Sequence, residues 1–357
     1  MHHILVTFGG YGAGGTSGAT RMAWRTTDLL RRRGHRVAVV TDADDALRPE
    51  GVEPIGPPPA GWLPGIVHVY DLARPEHADL GHRWARRTRA LLAVTPASAP
   101  QVWPDPDLGA RLLRDADVVF VLTAGQAADA VARGAHPDRL ARLPSAPDLE
   151  GRPDPEGFRA RHGVHGLFVL LLGRRVAEKG YRALVEAAPL VWDRLPEVVF
   201  GFAGPPAPGA AGPGLPPDYR LLDLGTPGDR EKHDAVSACD VLCLPSRADV
   251  FPLVFAEAWA CGRPVVSGDF PGVGDVVRDG VDGVVVPPTA RGVADGLLGL
   301  LTDPVSRRRM GAEGLRRVTG SLSWERAADA VEAGYDRWAG RPAGARPAAG
   351  VTGRVTR

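Results

Sequence analysis

Short apolar runs recur along the chain, and between them the apolar positions change to helical spacing. His3-Ile4-Leu5-Val6-Thr7-Phe8 predicts a strand, about Thr20 to Arg33 a helix with Met22, Ala23, Leu29 and Leu30 on one face, and Val37 to Val40 a second strand. Gly34 is placed to stop the helix. Alternation of this kind builds a parallel sheet covered by helices on both faces, so the fold class is α/β. The pattern breaks over about 149–164, a polar stretch with Pro153 and Pro155, and starts again at Leu167. That predicts two parallel-sheet lobes, 1–150 and 151–321, joined by the polar link. The Gly- and Pro-rich stretch Gly204 to Pro217 reads as a surface loop of the second lobe, and 341–357 as a disordered tail.

At 357 residues the chain is long enough for two full cores. Its 43 basic and 42 acidic residues nearly cancel, which argues against a nucleic-acid partner, since binding a phosphate backbone calls for a basic excess. Cys239, Cys243 and Cys261 fall in apolar contexts, too few for a four-ligand metal set, and read as buried free thiols of a reducing compartment. The chain enters its first strand without a charged leader, and no apolar run approaches the roughly 20 residues needed to span a bilayer. A soluble, cytoplasmic protein is expected. Asn is absent and Ile and Lys are scarce while Arg, Ala, Gly and Pro abound, which points to a GC-rich genome and fits an actinobacterial host.

Two loops carry the chemistry. The first, Gly173-Arg174-Arg175-Val176-Ala177-Glu178-Lys179-Gly180, follows the apolar run Leu167 to Leu172. It precedes Tyr181, Leu184, Val185, Ala188, Val191 and Trp192 at helical spacing, so the order is strand, basic loop, helix. Cations at a helix entrance, where unpaired backbone N–H groups and the dipole already favour negative charge, make a pyrophosphate site that needs no metal. Only two of the 43 basic residues are lysines, Lys179 and Lys232. A lysine in so arginine-rich a chain points to a use for its compact point charge. Taken alone, the loop also reads as a solvated basic cap on a helix.

The second loop follows the strand-like Asp240-Val241-Leu242-Cys243-Leu244-Pro245 and runs from Ser246 to Trp259. Pro252 suits the first turn of a helix, where its missing N–H costs nothing. Asp249 then stands just before the helix and Glu257 about a turn and a half inside it, one carboxylate at a mouth and one deeper, where it could take ribose hydroxyls. A capping Asp and a surface Glu would be the plainer reading of these two acids alone.

With both loops in one half, nearly the whole chain resembles the retaining glycosyltransferases of family 4. Those have the GT-B fold, two Rossmann-like parallel-sheet domains facing a central cleft. The resemblance implies an acceptor-side domain over 1–150, completed by a last helix over 322–340, and a nucleotide-sugar donor domain over 151–321. It implies that Gly173, Arg174 and Lys179 grip the donor pyrophosphate, with Arg174, Lys179 and Asp249 as the catalytic set. Phe251, Leu253 and Val254 would line the donor site, the latter two offering backbone N–H groups, and Glu257 would hold the ribose. Asp249 is one methylene shorter than the family's usual Glu, and Pro252 stands where Gly is common. Ser145 and Ala146 replace a typical Asn-Gly, and Ala97 or Ser98 occupies a place facing sugar and acceptor where many members have His. The implied reaction moves a sugar from a UDP or GDP sugar to a small polar acceptor with retention, in natural-product assembly such as that of antibiotics. It uses no cofactor or metal, and a stable membrane span is not expected.

The first lobe offers a competing reading. Gly10-Tyr11-Gly12-Ala13-Gly14-Gly15 is a literal G-x-G-x-x-G, and Asp42 follows the second strand as the ribose acid of an NAD-dependent oxidoreductase would. Against it, the glycines continue to Gly18, Asp42 lies beyond the usual spacing of about 20 residues, and the second-lobe phosphate site would have no purpose. In the transferase reading Gly14, Gly15 and Thr16 face sugar or acceptor. Asp42-Ala43-Asp44 matches a metal motif of the other large transferase fold but reads better as a polar turn. His68 and Asp71 end a candidate strand, where ligands bind in open sheets, and either could face the acceptor; a buried, hydrogen-bonded His68 is the alternative. A non-enzyme reading also stands: a transferase-like nucleotide-sugar sensor or partner subunit that binds donor without turning it over.

Overall fold

The computed structural model describes residues 1–10, 17–43, 48–206 and 214–339. The first lobe runs β1 (His3–Thr7), α1 (Gly18–Arg32), β2 (Arg36–Val40), β3 (Ile66–Tyr70), α2 (Pro75–Thr88), β4 (Leu91–Thr95), α3 (Pro106–Asp115), β5 (Val118–Val121), α4 (Ala124–Ala132) and β6 (Leu140–Arg142). The second runs α5 (Pro155–Arg161), β7 (Phe168–Leu172), α6 (Tyr181–Trp192), β8 (Val199–Ala203), β9 (Leu221–Asp223), α7 (Asp229–Ala238), β10 (Val241–Leu244), α8 (Leu253–Ala260), β11 (Val265–Gly268), α9 (Val273–Val276) and β12 (Gly283–Val286). Three helices close the described chain: α10 (Ala290–Thr302), α11 (Pro304–Ser321) and α12 (Trp324–Ala339).

Each lobe holds one six-stranded parallel sheet, in the orders β2-β1-β3-β4-β5-β6 and β12-β11-β10-β7-β8-β9. This is the GT-B architecture that the resemblance implied. The apolar runs are buried on both faces, as parallel strands covered by helices must be: every residue of β3, β7 and β8 is buried. In the second lobe the strand order reverses between β7 and β10, and in the first between β1 and β3. Loops leaving the carboxyl ends of such neighbours diverge and leave a crevice, which is where open α/β sheets bind ligands. Both loops singled out above leave β7 and β10.

Two segments cross between lobes. Residues 143–154 lead from β6 to α5, and α12 returns to pack on α1, β4, β5 and β6. Trp324 Nε1 donates to the Pro147 carbonyl at 3.0 Å, so the two crossings are fastened to each other. No helix among the described residues is long and apolar enough to cross a membrane. The candidate tail 341–357 and half of the loop from Gly204 to Pro217 lie outside them.

His68 does not face a ligand. Its ring is fully buried in β3, bonded through Nδ1 to the Tyr335 hydroxyl of α12 at 2.7 Å and through Nε2 to Thr95 Oγ1 at 2.8 Å, and it stacks on Tyr70. Burial lowers its pKa to about 3, which keeps it neutral. Because the folded value lies below the unfolded one of about 6.5, the stability it contributes is complete above that pH and is lost as the pH falls toward 3. His68→Gln keeps a donor and an acceptor but cannot titrate, so its melting temperature should fall less steeply than wild type between pH 6.5 and 4. Parallel slopes would assign the acid sensitivity elsewhere.

Candidate functional site

The β7 loop is shaped by close packing against the β10 loop. Residues 177–179 form a single tight helical turn, and Gly180 follows at φ 70° before α6 begins. A Cβ on Gly180 would stand 2.1 Å from the Pro245 carbonyl oxygen, so both conformation and space require glycine there. Arg247 N donates to the Glu178 carbonyl at 2.8 Å and ties the loops together. The two arginines diverge. Arg175 turns toward β9, pairing with Asp223 and bonding the Phe202 carbonyl, which raises its pKa and lowers that of Asp223. Arg174 lines the cavity instead.

That cavity lies between the lobes. The second lobe supplies Gly173, Arg174, Glu178, Lys179 and the segment 248–254, and the first supplies Ser17 to Ala19, Met22 and 97–99. Lys179 Nζ meets Asp249 Oδ2 at 2.5 Å, and Asp249 also accepts from Ser246 Oγ at 3.2 Å and from Val250 N–H at 3.0 Å. An ammonium has three donors, and among the described residues Asp249 takes one of them, which fixes the group. A second cavity adjoins the first and shares Ala99, Ala248, Asp249 and Val250 with it, while Thr123, Gln126 and Asp129 of the first lobe line its far side. Asp249 thus stands at the junction of the two.

Glu257 follows Leu253 by four residues on α8 and is 2% exposed. Its Oε1 accepts from Lys232 Nζ at 2.9 Å, and its Oε2 has no partner among the described residues. A buried carboxylate oxygen left without a donor is costly unless a ligand supplies one.

A protein of Frankia alni named D-inositol 3-phosphate glycosyltransferase is 32% identical over 323 residues, which cover 82% of this chain and 77% of that protein. The chain belongs to the group 1 glycosyltransferases. The family described as Glycosyl transferases group 1 matches residues 166–303. A Geodermatophilus obscurus protein, also named D-inositol 3-phosphate glycosyltransferase, is 33% identical over 77% of this chain, which spans 64% of that relative's own length. An alpha-D-kanosaminyltransferase of Streptomyces kanamyceticus is 33% identical over 56% of this chain and 54% of its own. Among solved structures, HepE of Anabaena, bound to UDP and glucose, superposes with a TM-score of 0.76 over 94% of this chain and 100% of its own at 18% identity, a likeness of fold.

Within this group 1 glycosyltransferase the expected residues separate into three sets. Gly173, Arg174, Lys179, Asp249, Phe251, Leu253, Val254, Ala97 and Ser98 share one cavity, and Glu257 is buried on α8 and is not part of its lining. Ala97 adopts φ 58°, an uncommon state for a residue with a Cβ, while Trp103 Nε1 holds the Ser98 carbonyl at 3.3 Å and its hydroxyl at 3.1 Å. His68 and Asp71 stand apart: Asp71 is 2% exposed at φ 64° and accepts from the Ala73 N–H at 3.0 Å, so it caps its own turn. Gly14, Gly15, Thr16 and Asp44 lie outside the described residues. Asp42, the ribose acid of the oxidoreductase reading, accepts from the Gly10 N–H at 2.6 Å. The three cysteines are free, and burial raises their thiol pKa values, which leaves them poor nucleophiles. Sequence reasoning counted Lys232 without placing it, and it missed the buried Asp148, which accepts from both Arg21 and Arg25 of α1. The scarcity of lysine was the available signal for the first.

Proposed function

We propose that this glycosyltransferase moves a sugar from a UDP or GDP sugar to a small polar acceptor, with retention and without a metal. The observation that carries the reading is the Lys179 and Asp249 pair beside Arg174, in a cavity whose opposite wall is the first lobe. Bond breaking between the anomeric carbon and the diphosphate places negative charge on the leaving group, which Lys179 and Arg174 are positioned to balance in a sheltered cleft. A new bond forms from the acceptor oxygen to the same face of the sugar, and the acceptor's proton goes to the departing diphosphate, so no side-chain base is needed. Asp249 orients the sugar as its anomeric carbon gains cationic character, and the free Glu257 oxygen takes a ribose hydroxyl. The adjoining cavity, with Thr123, Gln126 and Asp129, suits a polar acceptor reaching Asp249 from the other side. Relatives named for D-inositol 3-phosphate and for kanosaminyl transfer support small polar substrates.

Thermal unfolding with UDP, GDP, ADP, dTDP or NAD, each with and without chelator, tests this. One nucleoside diphosphate at a hundredfold excess over its Kd should add about 2.7 kcal/mol of stability, indifferent to chelator. Stabilisation by NAD alone would overturn the reading.

A further inference from the structure

The second lysine of the chain stands at the centre of an ion cluster between the lobes. Lys232, 8% exposed on α7, donates to Glu257 Oε1 at 2.9 Å and to the main-chain carbonyl of Asp148 at 2.6 Å, and lies 3.9 Å from Asp229. Asp229, at the start of α7, meets Arg21 of the first lobe at 2.5 Å and accepts from Glu50 N–H at 3.3 Å. Arg21 also binds the Asp148 carboxylate at 2.6 Å, and Arg25 binds it at 2.7 Å and Glu150 at 2.8 Å. Burial works against charge on Arg21 and Asp229, yet their contact outweighs it, raising the pKa of the first and lowering that of the second. Arg21, Arg25 and Lys232 face Asp148, Glu150, Asp229 and Glu257, so acid is in excess. The one carboxylate oxygen of this set recorded as buried and unpartnered is Glu257 Oε2.

We infer that Lys232 is a positioning residue for the nucleotide ribose. It fixes Glu257 by one oxygen and leaves the other for a hydroxyl, and its remaining contacts link that carboxylate to the interlobe segment and to α1. Without the ammonium, Glu257 would be a buried acid that has lost the charged partner holding its Oε1, free to turn. The inference rests on the ribose reading of Glu257 proposed above.

Binding of UDP, GDP and ADP is compared with binding of their 2′-deoxy forms, in wild type and in Lys232→Met. Wild type should prefer the ribo form of the nucleotide it binds by about 10- to 100-fold, as expected for a hydroxyl bonded to a charged acceptor. In Lys232→Met that ratio should fall below about threefold, with the donor KM raised and kcat at saturation lowered much less, since the loss is in binding. A merely structural lysine would lower the melting temperature and leave the ratio intact, which overturns the inference. No ribo preference in wild type would overturn the ribose reading and this inference with it. Should Lys232→Met fail to fold, Lys232→Gln, which can still donate to the Asp148 carbonyl, is read by the same ratio.

Discussion

Lys179→Ala is expected to lower kcat/KM for the sugar nucleotide by about a thousandfold, the scale seen when a donor aimed at developing charge is removed. Two losses combine. The leaving diphosphate loses a cation that no neighbouring lysine replaces, and among the described residues Asp249 keeps only the Ser246 hydroxyl and Val250 N–H as partners. Stability should fall by about 1–3 kcal/mol, less than the kinetic loss, because the side chains are only 20% and 11% exposed and Asp249 is left without its counter-ion. The defect therefore belongs in steady-state kinetics and nucleotide affinity, with the melting temperature as control. Lys179→Arg should recover only part of the rate, since a planar fork cannot reproduce the point contact with Asp249. An unchanged rate in Lys179→Ala would remove this side chain from the phosphate site.

Asp249→Asn should cut turnover by about a hundredfold while changing nucleoside diphosphate affinity by less than about threefold. The amide keeps the size and the hydrogen-bonding reach of the carboxylate, but it offers no negative charge to an anomeric carbon that becomes cationic. Its loss also frees Lys179 from a counter-ion 2.5 Å away, which favours diphosphate binding and offsets part of any lost contact. Measured kcat and an independently determined Kd separate the two effects. If affinity fell and turnover at saturation held, Asp249 would serve binding alone.

Much of this was written locally. The strands before each loop are continuous apolar runs, and the loops hold the glycine, the cations and the acids in short order, so two lobes and the loops that line the cavity follow from nearest neighbours in sequence. What was hidden depends on distant partners. Nothing near His68 announces that Tyr335, 267 positions later, fills the space beside its ring. Arg174 and Arg175 are alike in sequence, and only the approach of Asp223 on β9 draws the second away from the cleft. The segment Asp229-Arg230-Glu231-Lys232-His233-Asp234 carries five charged residues in six positions, yet the carbonyl of Asp148 and the carboxylate of Glu257 both bond Lys232 and make it interior.

The bond from Trp324 to Pro147 has a mechanical consequence. It clasps the chain leaving the first lobe to the chain coming back to it, so neither crossing can peel away without breaking that bond. The clasp lies apart from the Arg21 and Asp229 contact, which ties α1 to α7 at a second place, so the lobes are stitched by more than the covalent chain alone.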